Sequence, residues 1–82
     1  MPLTIFDVKG VAGNRRERIE NAVVAGGKHL SGPYEGWIIA DPFRKAIKVV
    51  ITGAHGFERQ VIFAPDEEAA VITERVRATF EE

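Results

Sequence analysis

Eighty-two residues, 45% hydrophobic and 28% charged, point to one globular domain over residues 1–82 with a single core. With no cysteine, a disulfide scaffold, a thiolate zinc site and a cysteine nucleophile are excluded. A net charge of −1 excludes the overall basic field of a strong nucleic-acid binder, and no run of about 18 apolar residues is present to span a membrane.

Residues 3–8 form a short apolar segment with Ile5, Phe6 and Val8, a candidate strand too short to reveal its period. A loop, Lys9-Gly10-Val11-Ala12-Gly13, follows. Residues 14–30 then carry a helical pattern. Asn14 has the chemistry of an N-cap, and Glu17 stands at capping-box spacing. Ile19, Ala22, Val23, Gly26 and Leu30 recur on one stripe, with Arg15, Arg16, Arg18 and Glu20 mostly on the other side. Gly26-Gly27 weakens the third turn and permits close packing on the sheet. Ser31-Gly32-Pro33 is a stop signal.

Three strand segments come next. Residues 34–40 are rich in aromatic and β-branched types. Asp41-Pro42-Phe43-Arg44-Lys45 is a turn-bearing connection. Residues 46–52 alternate, with Ile47, Val49 and Ile51 on one side and Lys48 and Thr52 on the other. Gly53-Ala54-His55-Gly56 reads as a hairpin loop. Residues 57–64 alternate again, with Phe57, Val61 and Phe63 against Glu58 and Gln60. Residues 65–80 form a second helix, with Pro65 at its first position and Asp66, Glu67 and Glu68 at its positive end. Ala69, Ile72, Val76 and Phe80 make its buried stripe.

The predicted fold class is α+β: a two-layer α-β-β-β-α sandwich with a three-stranded antiparallel meander, and residues 3–8 as a candidate extra strand. The expected core is Ile19, Val23, Leu30, Trp37, Ile39, Ile47, Val49, Ile51, Val61, Phe63, Ile72, Val76 and Phe80. This order of elements resembles the double-stranded-RNA-binding domain over residues 14–80. The resemblance is one of topology. That family grips RNA with its first helix, the loop between its first two strands and a lysine-rich start of its second helix. At the last of these places this chain has Pro65-Asp66-Glu67-Glu68, which repels phosphate, so no RNA-binding residue is carried over.

Candidate sites are few. Gly10 to Gly13 opens a helix beside Arg15, Arg16 and Arg18, a place where an anion would bind. It lacks the Gly-Lys-Ser/Thr of a P-loop. Phe43, Arg44, Lys45 and Lys48 put an aromatic beside cations, the ingredients of nucleic-acid contact. The charge is divided: residues 1–48 carry 8 basic and 5 acidic side chains, residues 49–82 carry 3 and 7. His29 stands near a predicted helix end and His55 in a loop. No His-x-x-x-His or mixed ligand cluster occurs, so neither a metal nor a cofactor is expected. One serine, Ser31, supplies no nucleophile–base set, and the balance leans away from an enzyme. The informative oddity is Ile38, Val50 and Ile62. Each lies one residue from a core-parity neighbour, which sends all three to the open face of the sheet as an apolar patch. A homo-oligomer or protein partner is therefore expected, with weak nucleic-acid or phosphate-ligand binding as the alternative. With no secretory signal in Met1-Pro2-Leu3-Thr4-Ile5-Phe6-Asp7, the expected location is cytoplasmic, without membrane attachment.

Overall fold

The computed structural model describes residues 2–81. The elements run β1 (Leu3–Lys9), α1 (Gly13–Gly26), β2 (Tyr34–Asp41), β3 (Ala46–Thr52), a 3-10 turn (Ala54–Gly56), β4 (Glu58–Phe63) and α2 (Ala69–Thr79). The strands form one open sheet in the order β1-β2-β3-β4. β1 runs parallel to β2, and the other two pairings are antiparallel. A parallel pair needs a crossover connection, and α1 supplies it. The candidate N-terminal strand is thus a full member of the sheet. The order becomes β-α-β-β-β-α, and the sheet is mixed rather than a pure antiparallel meander.

β1 hides its period because it contains a bulge. Its register with β2 shifts between Ile5 and Asp7. An inserted residue reverses parity, so Leu3, Ile5 and Val8 all turn to the core although the last two are three apart. Phe6 is left on the other side, 68% exposed.

Both helices lie on one face of the sheet. Ile19 and Val23 of α1, and Ile72 and Val76 of α2, join Ile38, Ile47, Val49, Ile51, Val61 and Phe63 in one buried cluster. The core row Val8-Ile38-Val49-Val61 crosses all four strands. Here β2 departs from expectation. Ile38 is fully buried at 0% exposure, whereas Ile39 is 37% exposed and Trp37 faces away from the helices. Residues 34–40 offer apolar side chains of both parities, so alternation alone cannot choose a face. The packing chooses. Gly36 shares the core parity, and a side-chain carbon placed there would come within 3.3 Å of Ile5. The opposite parity would press Trp37 and Ile39 into the layer that the helices already fill.

The helix ends also differ from expectation. α1 starts at Gly13 behind Ala12, with no side-chain cap, so neither Asn14 nor Glu17 performs the capping role. It ends at Gly26 rather than residue 30, and the Gly27 and Lys28 amides bond back to Val24 and Ala25 carbonyls. The glycine pair has two separate contacts. A carbon on Gly26 would come within 2.7 Å of Val76 in α2, and one on Gly27 within 2.8 Å of Leu3 in β1. Gly26 thus brings helix against helix, where Thr73 Oγ1 donates to the Ala22 carbonyl at 2.9 Å. α2 begins at Ala69, four residues later than expected. The stretch before it is held by a turn in which the Glu67 amide donates to the Ala64 carbonyl at 3.0 Å, and by Arg18, whose guanidinium donates to the Glu67 carbonyl at 2.6 Å and the Pro65 carbonyl at 3.4 Å. The Glu67 and Pro65 carbonyls are turned toward α1, and Asp66, Glu67 and Glu68 precede the helix instead of forming its first turn.

An aromatic group closes one end of the domain. Tyr34 lies edge-on to Phe57 and Phe80, each with centroids 5.2 Å apart, and Phe57 stacks on Phe80 at 5.7 Å. His29, beyond the end of α1, lies at a steep angle to Phe80 with ring centroids 6.3 Å apart. No helix among the described residues is long and apolar enough to cross a membrane.

Candidate docking face

The face of the sheet turned away from the helices has no element of the described fold over it. Strand pairing arranges its side chains in rows. The first is Thr4-Glu35-Thr52-Glu58, the second Asp7-Trp37-Val50-Gln60, the third Lys9-Ile39-Lys48-Ile62. Alternate residues along a strand lie about 6.7 Å apart, so the first and third rows are separated by about 13 Å. Phe6, displaced by the bulge, packs beside Trp37 with ring centroids 5.4 Å apart and planes tilted by 43°. Phe6, Trp37, Val50, Ile39 and Ile62 therefore make one apolar band, in which Ile62 is 50% exposed.

The expected patch of Ile38, Val50 and Ile62 is corrected at one position. Val50 and Ile62 lie on the open face, whereas Ile38 points into the core. Trp37 and Ile39, expected in the core, take its place. Phe6 was legible only as an apolar residue in a short segment, since nothing in six residues announces a bulge.

The charges on this face are sorted by row. Glu35 and Glu58 stand in the first, Lys9 and Lys48 in the third. Two other carboxylates near the face are occupied. Asp7 Oδ1 accepts from the Val8 amide at 2.9 Å. Asp41 Oδ1 accepts from the Phe43 and Arg44 amides at 2.9 and 3.2 Å, and its other oxygen lies 3.7 Å from Arg44 Nε. That local bonding builds the β2–β3 turn and fixes Phe43 at its tip, 96% exposed.

The basic residues do not gather into one surface. Arg16 pairs with Glu20 at 3.3 Å along α1. Arg18 holds the β4–α2 connection, and Arg44 holds its own turn. Lys48 belongs to the open face. Arg15 and Lys45 line a cleft of about 560 Å³ where β1 meets α1 and β4 leads toward α2, and Arg44 and Lys48 line another of about 390 Å³, with Asp41, at the third-row end of the open face. Asp41 and Asp66 line the first of these clefts, so its charges are balanced. Among the described residues, no group of three histidines or carboxylates lies close enough to hold a metal ion. His55 sits exposed in the 3-10 turn with φ of 59°.

No protein-family model matches this chain. No curated protein matches it either.

Proposed function

We propose that this chain is a small, non-catalytic interaction module, and that its open sheet face docks on a second copy of itself. The observation that supports this most is the apolar band of Phe6, Trp37, Val50, Ile39 and Ile62 on a sheet face that neither described helix covers. Exposed bands of this kind mark interfaces because burying them removes apolar surface from water. The occupant follows from charge. The face carries a carboxylate row at one end and a lysine row at the other, so it contains its own electrostatic complement. A phosphate backbone fits it poorly, since Glu35 and Glu58 offset Lys9 and Lys48.

Sedimentation at micromolar concentration tests the proposal. The parent chain should form a dimer, and Val50→Lys and Ile62→Lys should each yield a folded monomer. A parent that stays monomeric throughout that range defeats it.

A second reading rests on the cleft of Arg15 and Lys45, where a phosphate-bearing ligand would find two cations. Asp41 and Asp66 weaken it. Titration with inorganic phosphate or a short RNA at low salt, followed by amide shifts, decides the matter. Shifts confined to residues 10–18 and 41–48 would favour this reading over self-association.

A further inference from the structure

We infer that the second copy lies with its strands antiparallel to the first, about a two-fold axis that runs across the strands through Trp37 and Val50. The inference rests on the proposal that the open face self-associates, and it adds the orientation. Two flat sheets can stack face to face about a two-fold axis in either of two directions. An axis along the strands would set the first row over the first row and the third over the third. All four Glu35 and Glu58 carboxylates would then gather at one end of the interface, and all four lysines at the other. An axis across the strands does the reverse. It sets the row of Glu35 and Glu58 over the row of Lys9 and Lys48, at both ends of the interface.

The strand positions make this contact close. With β1 over β1 and β2 over β2, Glu35 faces the partner subunit's Ile39, which has Lys9 and Lys48 of the partner subunit on either side. Glu58 faces the partner's Ile62, whose neighbour is Lys48 of the partner subunit. Adjacent strands are about 4.8 Å apart, within the reach of a glutamate and a lysine from facing sheets about 10 Å apart. The second row then lies over itself. Trp37 and Val50 meet their own copies at the axis, with Phe6 beside them. An apolar centre ringed by charge pairs is the usual anatomy of a specific interface. The four charges are available for this role, because among the described residues none of them has an ion pair within its own chain. Asp41, bonded to the Phe43 and Arg44 amides, lies beyond the third row. Asp7, at the β1 edge of the second row, faces the partner subunit's Asp7 with one oxygen held by the Val8 amide, a like-charge contact confined to the edge strand.

Charge reversal by rows tests the orientation, with dimer dissociation followed by sedimentation and folding followed by thermal unfolding. Glu35→Lys with Glu58→Lys sets lysine over lysine, and the dimer should weaken by about tenfold or more. Lys9→Glu with Lys48→Glu should weaken it to a similar degree. Combining all four reversals restores opposite charges, and affinity should return to within about threefold of the parent. Under the other axis each row faces its own kind before and after reversal. If both double variants dimerise as tightly as the parent while Val50→Lys and Ile62→Lys remain monomeric, the face is right and the orientation is wrong. If the fourfold variant fails to recover although it unfolds at the parent temperature, the orientation is also overturned. A monomeric parent, or a dimer that survives Val50→Lys and Ile62→Lys, removes the underlying proposal as well.

Discussion

The two faces of this sheet are built from the same four strands, one residue out of step, yet they are under different physical constraints. Toward the helices, the row Val8-Ile38-Val49-Val61 is aliphatic throughout, and its three central-strand and β4 members are buried. Toward the outside, the rows mix aromatic, aliphatic and charged side chains. The inner face can hold no unpaired charge, because desolvation there has no compensating partner. The outer face keeps charges in water, and can therefore sort them by row without harm to the fold. Stability is expected to reside on the inner face and recognition on the outer one. Strands with apolar residues of both parities, such as β2, are where the two demands meet.

The largest test of that division is a matched pair of truncations. Ile38→Ala should destabilise the fold by about 2–5 kcal/mol, through lost burial and a residual cavity. Ile39→Ala, one residue away on the outer face, should cost under about 1 kcal/mol of monomer stability. Chemical denaturation of the two variants reads the difference. Similar losses would mean that the faces are not distinct in the way described.

Next in size is the helix layer itself. Gly26→Ala gains helix propensity but drives a carbon to within 2.7 Å of Val76 Cβ. Overpacking should prevail, with a net loss of about 1–3 kcal/mol. A more stable variant would show that the two helices have room to move apart. Arg18→Ala removes the bonds to the Glu67 and Pro65 carbonyls and should cost about 1–2 kcal/mol. Its further signature is faster amide exchange across residues 64–68, with β2 and β3 unchanged.

The smallest effect belongs to the outer surface of α2. Arg77 bonds Glu74 there, and also Glu81 at 2.6 Å. The bond to Arg77, together with its charge, holds the Glu74 carboxyl below the usual glutamate range. A lowered pKa in the folded state means that the unfolded chain binds more protons in acid. The pair therefore contributes stability above the usual glutamate range, and this is lost as pH falls through the lowered value. Glu74→Gln should make the acid limb of a stability–pH curve slightly shallower and leave neutral pH almost unchanged, since exposed pairs of this kind are weak.

Much of this molecule was legible in its residues. The stripe Ile19, Ala22, Val23 and Gly26 identified the buried side of α1, because a helix repeats its face every 3.6 residues whatever lies opposite. The alternation of Ile47, Val49 and Ile51, and of Val61 and Phe63, assigned β3 and β4 to their faces, because Lys48 and Thr52, and Glu58 and Gln60, stood at the other parity despite Val50 and Ile62 among them. The acids before α2 already argued against phosphate, since charge requires no fold to be counted.

Elsewhere the decision was tertiary. The segment before α2 is bonded to Arg18, 47 to 49 positions away, a partner that no local rule identifies. The face of Ile38 depended on which side of β2 the helices had already filled, and the exposure of Phe6 on a single inserted residue in β1. A strand with apolar side chains on both sides is locally degenerate, and only the packing of distant elements lifts that degeneracy. So the residues alone determined two helices, three strands and an excess of apolar parity in the sheet. The assembled core decided which of those side chains were left over for a partner, because burial is assigned by the contacts of the whole chain.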